Sequence, residues 1–196
     1  MDAKLTPEER AAAISAHMRE VISLIGEDTE REGLVKTPDR VGRAMDFLCQ
    51  GYRQNPDEIV GDAIFSEECN HMVIVRDIEV YSLCEHHMLP FYGRCHIGYI
   101  PRGKVFGVSK LARLVDCFAR RLQIQERLTQ QIAQYIKDKI NAEGVGVVME
   151  CHHLCMMMRG VQKQNSQMVT SAVLGSFRRS EATRNEFLAL LKHKDI

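Results

Sequence analysis

The sequence predicts a segregated α+β fold, in which helices and strands occupy separate stretches of the chain. Two helical segments lie within the first 50 residues, and strand-like segments follow at 72–100. Two long amphipathic helices come next, and then further strand-like segments at 145–177 and a C-terminal helix. Because strands and helices do not alternate one by one, this order argues against a βαβ fold.

The first 50 residues are predicted to form a helical arm. Thr6-Pro7-Glu8-Glu9 is a capping box with proline at the first helical position, and apolar residues follow at helical spacing as far as Gly26. Thr37-Pro38-Asp39 opens a second amphipathic helix. We expect this arm, residues 1–50, to pack on another subunit.

The remainder of the chain carries several strand signals. Residues 51–70 are mixed in character and predict a connection with one short strand. Segments rich in β-branched and aromatic residues, or short apolar runs bounded by turns, predict the other strands. These are residues 72–81, 94–100, 105–108, 145–151 and 168–177.

Three more helices are predicted around these strands. Ser109 is expected to cap a helix whose apolar face extends from Leu111 to Leu122. The next helix is expected from about Glu126 to Ile140, and Ser180 is expected to cap the last one. A chain of 196 residues that is 45% hydrophobic can build one core of this kind.

Charge and cysteine content limit the classes of function that this chain can have. The chain has 26 basic and 26 acidic residues, so its net charge favours neither nucleic acid nor an acidic membrane surface. The sequence has no stretch of about 20 apolar residues and no apolar signal-peptide core, so we expect a cytoplasmic protein. Seven cysteines are an odd number for a disulfide framework, which indicates free thiols, some of them binding metal.

Two clusters of cysteine and histidine predict a metal site. Cys84-Glu85-His86-His87 is the first, and Cys151-His152-His153-Leu154-Cys155 is the second. Together they hold more candidate groups than a tetrahedral zinc needs. Three protein ligands would leave a position for water, and the spare histidines would then serve proton transfer. The alternative is a structural zinc knuckle that pins two strands.

Two further clusters of residues predict a nucleotide-binding site. Ser109-Lys110-Leu111-Ala112-Arg113 begins a helix, and Arg159 follows the second cysteine cluster, so together they would hold a polyphosphate beside the metal. Gln125-Glu126 opens the next helix and offers an amide and a carboxylate to the edge of guanine. The alternatives are a solvated basic surface and an ordinary acidic helix N-terminus.

Several motifs in order resemble the zinc-dependent GTP cyclohydrolase I family over roughly residues 30–192. Each block alone is a weak signal, whereas the ordered set is specific. The blocks are Ser82-Leu83-Cys84-Glu85-His86-His87, Pro90-Phe91-Tyr92-Gly93, Gly98-Tyr99-Ile100-Pro101, Gly107-Val108-Ser109-Lys110, Gln123-Ile124-Gln125-Glu126-Arg127-Leu128, His153-Leu154-Cys155-Met156 and Met158-Arg159-Gly160-Val161.

The resemblance implies a fold, an assembly and a reaction. The fold would be a T-fold, an antiparallel sheet with helices on one side, formed by residues 51–196 as the catalytic unit behind the helical arm. The assembly would be a toroidal homodecamer of two pentamers, with active sites at subunit boundaries. The reaction would hydrolyse GTP at C8 of the guanine with zinc-activated water, release formate and give 7,8-dihydroneopterin triphosphate, the first step of folate and pterin biosynthesis.

The resemblance also assigns individual residues. It implies one zinc ion per subunit, and it implies roles for three groups of side chains. The metal ligands would be Cys84, His87 and Cys155; the catalytic residues His86, His153 and Ser109; and the substrate-binding residues Gln125, Glu126, Lys110, Arg113, Arg159 and Arg40. Cys151 and His152 fall outside the motif and are expected to be bystanders.

Three other functions compete with this interpretation. A zinc nucleoside deaminase would need an H-x-E or C-x-E start and a P-C-x-x-C half-site, and this chain has no P-C-x-x-C. A zinc-stabilised scaffold that binds nucleotides without turnover would leave the spare histidines unused. Another pterin enzyme of the T-fold class would arrange its metal and nucleophile differently.

Overall fold

The computed structural model describes residues 5–192, which divide into two compact units at Gln50/Gly51. The first unit contains helices α1 (Pro7–Leu24) and α2 (Thr37–Leu48). The predicted capping box is present, because the Thr6 hydroxyl accepts from Glu9 N and the Glu9 carboxylate accepts from Thr6 N. Arg10 pairs with Asp46 at 2.6 Å across the two helices.

A 3₁₀ turn (Gln50–Arg53) leads into the second unit, which contains two sheets and six helices among the described residues. The strands are β1 (Ile64–Ser66), β2 (Val73–Cys84), β3 (Pro90–Ile100), β4 (Lys104–Phe106), β5 (Leu122–Gln123), β6 (Gly144–His153) and β7 (Met168–Gly175). The helices are α3 (Pro56–Val60), α4 (Val108–Ala119), α5 (Gln125–Lys139), α6 (Leu154–Met157), α7 (Ser176–Arg179) and α8 (Glu181–Lys192).

The larger sheet has the strand order β5-β2-β3-β6-β7, and the small sheet pairs β1 with β4. All the pairs are antiparallel except β2 with β5, which is parallel. One face of the sheet, including Ile97, Val147 and Met149, joins buried residues of α4 and α5 in the main core. The predicted α+β fold with its antiparallel sheet is therefore confirmed.

The opposite face of the sheet is partly covered by the C-terminal helices. Phe177 of α7 and Phe187 of α8 form a second apolar cluster with Val148. A Cβ at Gly98 would lie 2.7 Å from Phe187, and a Cβ at Gly146 would lie 2.6 Å from Phe177. The two aromatic rings therefore pack where the strands carry no side chains, and helices are present on this face as well.

Some local predictions were wrong. Ser109 does not cap α4, because the helix begins at Val108 with Gly107 at its N-cap and no side-chain cap hydrogen bond. Leu122 lies in β5 rather than on α4, since the helix ends at Ala119 and the chain turns to pair with β2. The short helix α3 was not predicted, although Asn55 caps it by accepting from Asp57 N at 3.0 Å.

Among residues 5–192, no helix is long and apolar enough to cross a membrane.

Candidate active site

The first cysteine cluster lies in the hairpin between β2 and β3. Cys84, the last residue of β2, donates its N–H to Leu89 O at 2.8 Å and accepts from Met88 N at 2.8 Å. Met88 takes the left-handed conformation, with φ 54, that closes this tight turn. The turn keeps the Cys84 side chain in the core and exposes both His86 and His87.

The second cysteine cluster reaches the same end of the sheet through strand pairing. In the β3–β6 register Phe91 lies opposite His153, and in the β2–β3 register Phe91 lies opposite Ser82. The strand β6 ends at His153, and Cys155 follows in the first turn of α6. His153 and Cys155 therefore do not lie on one extended segment, because the chain turns into α6 between them.

Cys84, His87 and Cys155 converge despite their distance in sequence. One potential ligand atom from each residue lies within 4.8 Å of the other two. In a tetrahedral zinc site, bonds of about 2.3 Å to sulfur and 2.0 Å to nitrogen place neighbouring ligand atoms roughly 3.5–4 Å apart. The sulfur and nitrogen donors match zinc chemistry, so these residues fit a metal ion after a small contraction.

The electrostatics of the thiols fit a cation. Burial raises the pKa of the Cys155 thiol, and the neighbouring Cys84 raises it further, because two adjacent thiolates repel each other. A divalent cation between the sulfur atoms would reverse this cost by stabilising both thiolates. The arrangement is unfavourable for two free thiolates and favourable for a bound metal.

Two neighbouring side chains border the candidate metal site. His86 Nδ1 lies 3.8 Å from the Cys84 Sγ. Arg159 Nη1 lies 3.1 Å from His87 Nε2, and a guanidinium can only donate. The structure therefore brings the predicted phosphate-binding Arg159 to the predicted ligand His87.

The N-terminus of α5 is fixed beside the same turn. Glu85 N donates to Gln123 O at 3.0 Å, so the turn continues the parallel pairing of β2 with β5. The Glu85 carboxylate binds both guanidinium nitrogens of Arg127, at 2.6 and 3.1 Å. Arg127 holds the pKa of the Glu85 carboxyl below its usual range through this hydrogen-bonded pair. The exposed Glu126, which lies between Gln125 and Arg127, is thereby placed next to the turn between β2 and β3.

His153 is held from two sides. Its imidazole stacks on the Phe91 ring, with centroids 4.7 Å apart and planes inclined by 8°. Its Nε2 lies 2.9 Å from Gln125 Oε1. Burial lowers the pKa of His153, while the nearby Glu126 carboxylate acts in the opposite direction. His153 is thus close to Glu126 and is oriented without belonging to the Cys84–His87–Cys155 group.

Gln125 is turned into the protein. The residue is 1% exposed. Its Nε2 donates toward Met149 O, Met168 O and Thr170 Oγ1 at 3.0, 3.0 and 3.1 Å. Because its oxygen faces His153, the amide would have to leave these partners to make the guanine contact predicted for Gln125. The carboxylate of Glu126 has no such constraint.

The basic cluster at the start of α4 lies at the end of the helix away from the Ser82 contact. After the end of α4, Arg121 O accepts from Ser82 Oγ near the Cys84 end of β2. The 12 residues of α4 extend about 18 Å from there. Ser109 and Lys110 lie at the far end, where Lys110 Nζ donates to Ile59 O at 3.0 Å. Their predicted place beside the metal would therefore need this end of α4 to come from a neighbouring chain, and it stays a prediction.

The remaining predicted residues have distinct locations. Arg113 is exposed on the second turn of α4, and Arg40 is exposed on α2 of the first unit. Cys151 is fully buried, and burial raises the pKa of its thiol to about 12. His152 lies on the sheet face opposite His153, with its ring 5.8 Å from that of Tyr92.

Sequence reasoning missed several residues that shape the site. Phe91 and Arg127 were in the recognised blocks but had no role, and Thr170 was in no block. Their function depends on a stacked ring, an ion pair and a hydrogen bond between distant segments. An aromatic residue or an arginine in a strand or helix carries no local signal for such a contact.

Comparisons with a family model and with known proteins all point to the same family. The model of the family described as GTP cyclohydrolase I matches residues 14–192. "GTP cyclohydrolase 1 1" of Pseudomonas aeruginosa is 60% identical over 179 residues, which cover 91% of this chain and 96% of that protein. "GTP cyclohydrolase 1" of Pseudoalteromonas atlantica is 58% identical over 178 residues, covering 91% and 97%. The Leptospira biflexa protein of the same name is 58% identical, covering 89% and 96%.

Among solved structures, the apo form of the archaeosine synthase QueF-Like matches with a TM-score of 0.45 and 19% identity. The match covers 53% of this chain and 93% of that one.

Proposed function

The chain belongs to the GTP cyclohydrolase I family, and from this we propose that it opens the guanine imidazole ring of GTP at a zinc site formed by Cys84, His87 and Cys155. The products would be formate and 7,8-dihydroneopterin triphosphate. The proposal is carried by one observation: the three donors converge beside His153 and Glu126, and neither of these two residues belongs to the donor set. A purely structural zinc knuckle would need neither of those neighbours.

The three donors would hold the metal with one position left for water. When bound, zinc would supply a Lewis acid that lowers the pKa of water from about 15.7 toward 7. The chain itself fixes the positions of the three donors. The turn between β2 and β3 holds Cys84 and His87, and the junction of β6 with α6 holds Cys155. Zinc and its stoichiometry of one per subunit are part of the proposal.

Glu126 is suited to recognise guanine. Its carboxylate is exposed in the first turn of α5, where the helix dipole favours negative charge. Guanine presents two adjacent N–H donors, on N1 and N2, which a carboxylate can accept together. The first N–H groups of α5 have no side-chain cap and suit the neighbouring O6 acceptor. Adenine reverses this pattern, so the same site would reject ATP.

His153 and His86 are suited to move protons during ring opening. His153 would protonate a ring nitrogen as the bond to C8 breaks, since its imidazole lies near Glu126, which holds the base. His86 contacts the Cys84 sulfur and is exposed, so it can reach substrate at the metal side. Ser109 would act in the later rearrangement of the ribose.

We propose that the positive charge that binds the triphosphate comes from more than one chain. Arg159 is at the site, whereas Ser109 and Lys110 lie at the far end of α4 and Arg113 lies on its second turn. Residues at that distance can serve the reaction if a neighbouring subunit presents its α4 to this metal site. This supports an oligomer with shared active sites, and we propose the toroidal decamer, with Arg40 also reaching phosphates across a boundary. The cytoplasmic location stays a prediction.

The test is incubation of the purified protein with GTP. Formate release should accompany a pterin that becomes fluorescent after oxidation, and ATP should give neither. A protein that binds zinc and GTP but releases no formate would be a scaffold, contrary to the proposal. Release of ammonia in place of formate would instead indicate a deaminase.

A further inference from the structure

We propose that Gln125 positions His153, holding its imidazole with the proton on Nε2, so that Nδ1 is the nitrogen presented to substrate. This inference rests on the proposed function, since it gives His153 a role in the reaction. Under this proposal the Gln125 side chain acts through His153 and does not contact guanine directly. The hydrogen bond between Gln125 Oε1 and His153 Nε2, 2.9 Å long, is its starting point.

The orientation of the Gln125 amide follows from its other partners. The nitrogen lies 3.0 Å from both Met149 O and Met168 O, and carbonyl oxygens can only accept hydrogen bonds. If the amide were flipped, its oxygen would face two oxygens at that distance and the two N–H donors would be lost. The chemistry therefore places the amide oxygen toward His153.

The proton position on His153 follows in turn. An amide oxygen only accepts, so the hydrogen bond requires a proton on His153 Nε2. A neutral imidazole carries one ring proton, and its lone pair must then be on Nδ1. The same hydrogen bond persists when the ring is doubly protonated. Proton exchange with substrate is thereby directed to one nitrogen.

Two contacts fix the direction of that nitrogen. The Phe91 ring lies nearly parallel to the imidazole and limits its tilt, while Gln125 limits its rotation within the plane. Gln125 is itself held by β6, through Met149, and by β7, through Met168 and Thr170. Thr129 Oγ1 lies 2.7 Å from Thr170 Oγ1 and extends the network into α5.

The inventory of hydrogen bonds argues against a second role for this amide. Its two N–H groups already have three acceptors within 3.1 Å, and the residue is 1% exposed. A guanine contact would break bonds that are protected from water, and buried unsatisfied groups are costly. The neighbouring Glu126 is exposed and free to take the base.

The deciding experiment is a double-mutant cycle in the full-length, zinc-loaded protein. Gln125→Met removes the acceptor for His153 while keeping a side chain of similar size. We expect kcat to fall about tenfold, the loss typical of one hydrogen bond. The KM for GTP and the preference for GTP over ATP should stay within about twofold of wild type, since ground-state binding is retained. In a His153→Ala background, Gln125→Met should have no further effect.

Gln123→Met is the matched control for the nonspecific effect of replacing a buried glutamine with methionine. Gln123 is also almost fully buried, and its amide bonds to Phe118 O and Gln131 rather than to a histidine. Any loss of rate that Gln123→Met causes should be the same in the wild-type background and in the His153→Ala background. Coupling to His153 should therefore be specific to position 125.

Two results would overturn the proposal. A rise in KM and loss of base preference at unchanged kcat would make Gln125 a direct guanine contact, and independent effects in the cycle would remove the link to His153. If Gln125→Met fails to assemble, Thr170→Val replaces it, because it removes one acceptor of the Gln125 amide and loosens its orientation. This variant should lower kcat and leave the KM for GTP near the wild-type value. A wild-type protein that releases no formate would instead refute the proposed function, whatever Gln125 does.

Discussion

Cys84 and Cys155 bring their sulfur atoms within 4.8 Å of each other, one from the end of a strand and the other from the first turn of a short helix. The contact depends on β3, which pairs with β2 on one side and with β6 on the other. Burial raises the pKa of the Cys155 thiol, and the adjacent Cys84 raises it further. This pair, together with His87, is the basis of the first prediction.

Metal content should depend on Cys155. The purified protein should hold about one zinc per chain, and Cys155→Ser should lose both zinc and turnover, because a neutral hydroxyl is a poor replacement for a thiolate. Elemental analysis beside a formate assay measures both. Cys69→Ser is the control, since Cys69 lies outside the donor group and this variant should keep its zinc. Full zinc occupancy in Cys155→Ser would remove Cys155 from the ligand set.

The active protein should be a large ring, expected as a decamer. Light scattering should give a mass near ten times the 22.4 kDa of the chain. The physical reason is that the start of α4 lies about 18 Å from the end near β2, so under our proposal Lys110 reaches a metal site from a neighbouring chain. A fully active monomer would contradict the shared site.

Complementation should show the sharing directly. Arg113→Ala and Cys155→Ser should each be inactive alone, but co-expressed chains should regain part of the activity. Some boundaries would then combine an intact α4 from one chain with an intact metal site from its neighbour. Two variants of the metal site, Cys84→Ser with Cys155→Ser, should not complement each other. Equal results from the two pairings would argue that each site is built from one chain.

Glu126 should control base selection. Glu126→Ala should reduce GTP turnover by roughly 10⁴-fold and weaken the preference for GTP over ATP, because the two guanine donors lose their acceptor. Zinc content should be unchanged, since Glu126 is outside the donor group. Asp138→Ala, at the exposed other end of α5, is the control and should behave like wild type. An unaltered preference for GTP in Glu126→Ala would assign guanine recognition elsewhere.

His153 and His152 should differ although they are adjacent. His153→Ala should keep zinc, the assembly and GTP binding but turn over about 10²–10⁴-fold more slowly, because a proton donor has been removed. His152→Ala should be nearly silent, since its side chain lies on the other face of β6 beside Tyr92. Single-turnover assays with zinc analysis distinguish the outcomes. Loss of zinc in His153→Ala would mean that His153 is a ligand.

Part of the site could be predicted from residue types and local pattern. The capping box of α1 and the amphipathic stripes of the long helices specify their own secondary structure, because the interactions involved span one or two turns. Strand alternation likewise separates His152 from His153. The two Cys/His clusters indicate metal chemistry by composition alone. Local signals were less reliable at element ends, where Gly107, not Ser109, precedes α4.

The sequence by itself therefore determined the α+β class, the long helices and the set of groups able to bind a metal or move protons. Only the tertiary structure decided which of them meet. The register of β2, β3 and β6 brings Cys84 and Cys155 together, the length of α4 separates Lys110 from them, and packing between α5, β6 and β7 turns Gln125 toward His153. Such contacts join segments far apart in the chain, so their geometry depends on strand register and helix packing rather than on neighbouring residues.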